Sequence, residues 1–324
     1  MTAGSTTPPG IGGVAMGAGG AGRTGAATPP RRRGRWLSRA GAAPNAETRT
    51  ALLELAPILA FYLVFFLAPL LLLVAYSFFR PGLLTVHPDF RLDAYLTALT
   101  DPLFYRVLLN TIVVGLATAS VCVVIAYPFA YVMNLVVPQH RNAILFLVLV
   151  TLFAGYLARI YAWRTLLGAE GIVNTFLMNT GLVDEPLRFL LYSRFAVTVA
   201  LLSIYLPFAI VPLSNAMQNV GRDVIDASRD LGAGRLTTFR TVTFPLTYQG
   251  FRAAFLFCFL LAAGDYVTPS LVGGPDGLMV GIIIKDQFFG ANNWPLGAAL
   301  AVLTVVFVLM VFAVIDRLMR MVVR

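Results

Sequence analysis

DASRDLGAGRLTTFRTVTFP, residues 226–245, is a polar, glycine-punctuated stretch caught between two long apolar runs. Val224, Ala227, Ser228 and Leu231 recur at i, i+3, i+4 and i+7, which predicts a short helix with one small, mildly apolar face. Asp223, Asp226, Arg229 and Asp230 occupy its other sides, so the apolar face is shaped to dock. Gly232 and Gly234 stand where this periodicity stops, the usual place for residues that turn the chain with positive φ. A second short segment over 236–243 leads to Pro245, whose fixed φ and missing N–H suit the first turn of the next membrane helix. The same features suit a plain amphipathic connector, and the segment alone leaves both readings open.

Composition explains why a polar interruption matters. Of the 324 residues, 58% are hydrophobic and only 12% charged, and the mean hydropathy is +0.80. Such a chain is too apolar for an ordinary soluble domain and belongs in a bilayer. The net charge of +9 does not point to nucleic acid, because the basic residues are scattered among apolar spans and form no stripe interleaved with exposed aromatics. Cys122 and Cys258 both lie inside apolar runs, where they act as small buried hydrophobes, and neither a disulfide framework nor a zinc pattern is available. The expected fold class is all-α, a polytopic membrane protein with six transmembrane helices.

A crossing needs roughly 20 apolar residues. Spans are expected at about 53–78, 107–136, 143–163, 194–216, 250–272 and 295–317. With the N-terminus inside, 16 of the 24 basic residues fall on the cytosolic side, including the run at Arg31, Arg32, Arg33 and Arg35 and the C-terminal Arg317, Arg320 and Arg324. Both termini and the loop at about 218–247 are therefore expected in the cytosol. Residues 1–48, rich in Gly, Ala, Thr and Pro, are expected to be a disordered basic cytosolic tail, followed by a membrane domain over 49–324. The apolar run after the arginines is too long for a cleavable signal and reads as a signal anchor. The external segments 80–105 and 165–193 are mixed and polar, and suit either a soluble partner outside or simple helix connection.

Inside the membrane a charge is expensive and therefore informative. Asp265 is the one carboxylate well inside an expected span, and it calls for a water-filled path or a partner cation, for which Arg159 is the candidate. It reads either as lining of a substrate path or as a bond between helices. Gly264 and Pro269 around it favour a bent or locally unwound helix, whose freed backbone groups need a cavity or a neighbouring helix.

The spacing across 226–245 carries a resemblance. Asp226, Ala227 and Ser228, then three residues, Gly232, nine residues, Val242, one residue, and Phe244 with Pro245 reproduce the spacing of the cytoplasmic loop of binding-protein-dependent ABC importer permeases, whose pattern is Glu-Ala-Ala, Gly, a hydrophobe and Leu-Pro. The run from Gly264 to Pro275, Asn293 to Ala299, Asn110 with Thr111, 126–131, and Arg159 to Trp163 with Gly168, Gly171 and Asn174 resemble the spermidine/putrescine permeases within that family. These matches cover residue 52 to the C-terminus. Related permeases for ferric iron or thiamine share much of this skeleton.

The resemblance implies the type I ABC importer permease fold and a transporter subunit, not an enzyme. No Gly-rich phosphate loop ending in Gly-Lys-Ser/Thr is present, so no cofactor is expected on this chain and ATP is expected to be used by partner subunits. The implied partners are a second permease subunit, two cytosolic ATPase subunits and an external solute-binding protein, in the bacterial cytoplasmic membrane. Asp226, Ala227, Ser228, Leu231, Gly232 and Pro245 are the implied ATPase-coupling residues. Asp265, Tyr266, Tyr161, Trp163 and Arg159 are the implied pathway residues, carboxylate and aromatic rings suiting a flexible polycation. The aspartate and serine in place of the family's glutamate and second alanine point to docking that is either weaker or tuned to a particular ATPase. A stand-alone secondary transporter would need no docking helix, and a membrane-embedded enzyme would need clustered polar groups that His87 and His140, both in loops, do not supply.

Overall fold

The computed structural model describes residues 46–82, 86–87 and 89–322. The chain divides into two units between Ala60 and Phe61, and the described part of the first, 46–60, is helical. The expected tail, 1–48, lies outside the described residues except at 46–48. In chain order the helices are α1 (the span Glu54–Tyr76), α2 (Asp93–Thr100), α3 (Pro102–Val136), α4 (Arg141–Val150), α5 (Tyr156–Leu167) and α6 (Ile172–Asn179). There follow α7 (Arg194–Gln218), α8 (Arg222–Asp230), α9 (Arg235–Gly264), α10 (Val267–Val272), α11 (Val280–Phe289) and α12 (Trp294–Val322). The sole sheet among the described residues is a two-stranded antiparallel pairing of Arg80–Pro81 with Val86–His87.

Among the described residues five helices, α1, α3, α7, α9 and α12, are long and apolar enough to cross a membrane, and a bent pair raises the count to six if it is one span. That pair corrects the expected third span. The run does not cross as one rod: it breaks at Ala154 and Gly155, both extended, and turns by 86° between Pro138–Phe153 and Tyr156–Asn179. Arg159 lies across the break: its guanidinium bonds the Thr151 carbonyl and, at 3.1 Å, the carbonyl of Ser203 on α7, which Pro207, lacking an N–H, does not serve. A cation at a helix C-terminus also meets the negative end of the helix dipole.

The expected fifth span is shifted as well. Its helix begins at Arg235, well before Pro245, and stops at Gly264. A proline inside a helix lacks its N–H and crowds the carbonyl four residues back. Here the turn over Phe239–Thr243 is widened to π-helix immediately before Phe244 and Pro245, which lets the helix run through.

The centre of the molecule is the mutual contact of α3, α7 and α9. Hydrocarbon supplies no hydrophobic drive between helices, so close backbone approach through small residues must hold them. The seam follows that rule: Ala119, Cys122, Ala126, Ala200, Ala254, Cys258 and Ala262 are all fully buried, with Phe259 and Leu213 filling the space between. Gly250 on α9 faces Ala216 and lies so close to α7 that an added Cβ would stand 2.9 Å from the Pro212 carbonyl. Gly250→Val is expected to destabilise the chain by about 1–3 kcal/mol through overpacking, read as a lower unfolding midpoint of the purified protein. An unchanged midpoint would mean that the two helices do not touch there. By contrast, residues 61–72 of α1 are exposed, and only the end of that helix is half-buried, with Tyr76 against Trp294 of α12.

Polar staples fix the side of the bundle remote from the 226–245 loop. Asn110 near the start of α3 donates to the carbonyls of Asp276 (3.2 Å) and Leu278 (2.6 Å), and the Thr111 hydroxyl accepts from the Val280 amide at 2.9 Å. Asn174, fully buried, donates to the Gly168 carbonyl and accepts from the Leu187 amide, tying the 165–193 segment into one folded loop.

Candidate functional site

The residues singled out by sequence fall at the α8 turn, at the break between α9 and α10, on α5 (Arg159, Tyr161 and Trp163) and, for Pro245, within α9. α8 ends in a complete glycine-closed cap. The Ala233 amide bonds the Ser228 carbonyl at 3.1 Å and the Gly232 amide bonds the Arg229 carbonyl at 2.8 Å, with Gly232 at φ +84°. This is the Schellman arrangement, which needs a residue at home in the left-handed region. Gly234, expected to share that role, instead has φ −68° and starts α9.

The cap decides what α8 presents. Ile225 turns inward and is buried, and Ser228 is half-buried with its hydroxyl 3.2 Å from that of Thr238 at the start of α9. Val224 and Ala227 are exposed, and Leu231 is 89% exposed. Ser228 therefore braces the helix from behind, while Val224, Ala227 and Leu231 form an outward apolar strip. Asp226 does not cap the helix, which starts four residues earlier; it pairs with Arg229 at 3.6 Å on the surface. Ile225 is not among the residues that periodicity picks out, because its position between Val224 and Asp226 falls outside the apolar register of Val224, Ala227 and Leu231. A tertiary anchor on the opposite face carries no such signal.

At the second place, α9 stops and the chain extends through Asp265 before α10 begins. Asp265 is 7% exposed. Its carboxylate accepts from the Tyr156 hydroxyl (2.7 and 2.8 Å), the Tyr205 hydroxyl (3.1 Å) and the Thr268 hydroxyl (2.8 Å). It also accepts from the backbone amides of Val267 (2.9 Å) and Thr268 (3.1 Å), the free donors of the first turn of α10. One side chain thus pins α5, α7 and the start of α10 together.

The expected pairing of Asp265 with Arg159 is not present. Arg159 is committed to the Thr151 and Ser203 carbonyls, and hydroxyls and amides satisfy Asp265 in place of a cation. Trp163 is partly buried and donates from Nε1 to the Ser203 hydroxyl at 2.8 Å. Tyr161 and Tyr266 leave 50% and 45% of their surfaces exposed, and neither bonds Asp265. The residues that complete the cluster, Tyr156, Tyr205 and Thr268, carry no distinguishing mark in the sequence. A buried carboxylate demands donors but does not say from which helix they come. No group of three or more His, Cys, Asp or Glu side chains fit to hold a metal ion occurs among the described residues.

Comparisons agree with this architecture. Residues 50–324 match the family model described as binding-protein-dependent transport system inner membrane component. The chain is similar to the spermidine/putrescine transport system permease protein PotB of Haemophilus influenzae, 36% identical over 262 residues, covering 80% of this chain and 91% of that one. It is 31% identical over 281 residues to the inner membrane ABC transporter permease protein YdcU of Escherichia coli, covering 82% and 88%. Among solved structures it resembles a chain of a bacterial alginate ABC transporter in complex with an alginate pentasaccharide-bound periplasmic protein, with a TM-score of 0.70 at 16% identity, covering 86% and 96%, a likeness of fold.

Proposed function

Because the chain belongs to the family of binding-protein-dependent transport system inner membrane components, we propose that it is the pathway-forming permease subunit of an ATP-driven importer whose cargo is a small polycation of the spermidine or putrescine type. The observation that carries the coupling part is the outward strip of Val224, Ala227 and Leu231, held proud of the bundle by the cap at Gly232. An isolated membrane carrier has no use for a rigid apolar strip on a polar loop; a subunit that takes its work from a separate motor does. Support for the cargo is the 36% identity, across nearly the whole of the relative, to a permease named for spermidine and putrescine.

In this reading the α8 loop and both termini are cytosolic. The antiparallel contact of Arg252 on α9 with Asp316 near the end of α12 is consistent with it, bringing the end of α12 to the loop's side of the bundle. Two ATPase subunits bind α8 here and on a second permease subunit, and an external binding protein delivers the cargo. ATP-driven closure of the motor pulls α8, and the force enters α9 through the short link at residues 231–234. The α9–α10 break lies at the far end of that same helix. Motor and cargo would thus bias one two-state element from its two ends, as coupling requires. Tyr161 and Tyr266 offer exposed rings to a passing ammonium group, while Asp265 holds the break in the conformation described.

Uptake of labelled putrescine and spermidine by vesicles carrying the whole complex, with its binding protein outside and ATP inside, tests the proposal. Leu231→Asp is expected to weaken association of the ATPase subunits by fivefold or more, about 1 kcal/mol or above. It should leave the unfolding midpoint within the narrow range usual for exposed positions. ATP-dependent uptake of some other solute with neither polyamine transported would refute the cargo. Undiminished ATPase association in Leu231→Asp would refute the docking face.

A further inference from the structure

A second charged site lies away from both places described above. Where the first half of α9 meets the end of α12, a cavity of 570 Å³ is lined by Tyr248, Gln249, Arg252, Arg317, Arg320 and Met321. Asp316 beside it pairs with Arg252 Nε at 3.2 Å and with Arg320 Nη2 at 2.7 Å, and accepts a hydrogen bond from Arg320 Nε at 2.8 Å. One carboxylate is thus shared by two guanidiniums, and Arg317 has no ion-pair partner among the described residues. Three positive groups against one negative leave a net charge of +2 around one cavity. Scattered basic residues at a membrane face need only topology to explain them. Convergence of three from two helices on a common space, with their counter-charge used up, calls for an anion.

The wall of the cavity says which kind. From Met321 an apolar stripe climbs the outside of α12 through Leu318, Val314 and Met310, spaced along one helix face, and all four are exposed. A free phosphate would use the guanidiniums and leave the stripe bare. An amphiphile fills both, its headgroup oxygens on the forked arginine donors and its chain along the stripe. We propose that this cavity is a binding site for the phosphate headgroup of an anionic membrane phospholipid, seated between α9 and α12 on the membrane face that carries the α8 loop. The lipid bridges the helix that α8 moves to the last span of the chain.

The test uses the purified full transporter complex, equilibrated with mixed phosphatidylglycerol and phosphatidylcholine vesicles and examined by native mass spectrometry for retained lipid. The wild type is expected to retain phosphatidylglycerol in preference to phosphatidylcholine. Arg317→Gln combined with Arg320→Gln should lower that retention by about tenfold or more, given the worth of each basic residue near an anionic lipid. Arg317→Gln alone, at an exposed position with no partner to strand, should give a smaller loss with an unchanged unfolding midpoint. Arg235→Gln combined with Arg240→Gln removes equal charge from the same face outside the cavity and should retain lipid as the wild type does. Equal loss in that control would reduce the site to general surface charge and overturn the proposal. So would displacement by millimolar inorganic phosphate, which would make the ligand a free anion. Dissociation of the complex along with lipid loss would assign the face to a subunit seam and overturn it too.

Discussion

Gly232→Val is expected to abolish substrate-stimulated ATP hydrolysis by the assembled transporter while the chain still inserts and assembles. The reason is confined to the backbone. A Cβ at position 232 would meet nothing within 4 Å, so no clash arises in the surroundings, but φ is +84°. An L-residue pays about 1–2 kcal/mol to sit in the left-handed region, and a β-branched one more. The cap has only two closing hydrogen bonds to offset that cost, from Ala233 to Ser228 and from Gly232 to Arg229. The turn is therefore expected to open, rotating Leu231 and the strip behind it out of register with the motor. A loss of about 1.4 kcal/mol is a factor of ten, so stimulation should fall at least about tenfold. Gly232→Asn is the informative partner, because asparagine tolerates the left-handed conformation, and it should keep most of the stimulation. If valine and asparagine behave alike, the left-handed turn is not what the motor needs and the docking assignment fails.

Asp265→Ala is expected to be the most destabilising single substitution among the residues discussed. It removes the acceptor of five donors at once: the hydroxyls of Tyr156, Tyr205 and Thr268 and the amides of Val267 and Thr268. Each buried donor left unpaired costs about 1–3 kcal/mol. Even with some donors finding substitutes, the loss should be on the order of 3–5 kcal/mol. The readout is a sharp fall in the unfolding midpoint and in the amount of chain recovered from membranes. Asp265→Asn retains one acceptor oxygen but turns the other into a donor facing donors, and should fall between alanine and the wild type. Stability like the wild type's in Asp265→Asn, with only the KM for transported polyamine raised, would reverse the assignment. The carboxylate would then face the cargo and would not pin helices.

These two residues show how differently sequence speaks about the two places. The α8 turn is local: its face, its glycine and its proline lie within about twenty residues of one another, so helical periodicity and spacing suffice to make it legible. Even there, the inward anchor Ile225 and the bracing of Ser228 by Thr238 stay hidden, because both depend on what lies behind the helix. Asp265 is legible only as an anomaly, a carboxylate in an apolar run. Its partners Tyr156 and Tyr205 lie 109 and 60 residues away, and tyrosines in membrane helices are too common for any one to stand out. Arg159 is the obvious partner by charge. It is spent on the Thr151 carbonyl beside the break in the third span and on the Ser203 carbonyl, four residues before Pro207 on α7, and the hydropathy of 143–163 foretells neither contact.

What the sequence determined by itself, then, is whatever follows from short-range pattern and from transfer of side chains between water and hydrocarbon. The membrane class, the approximate crossings, the short amphipathic helix closed by Gly232 and the presence of a costly buried charge are of this kind, since each depends on neighbours along the chain. Only the tertiary structure decided how that charge is satisfied, where the third span breaks, and which arginines gather between α9 and α12, whereas the break beside Asp265 falls where Gly264 and Pro269 favour one. In a bilayer every freed backbone group and every buried charge must find a partner inside the protein. Many donors can meet that demand, and only the packing of α3, α5, α7 and α9 selects among them.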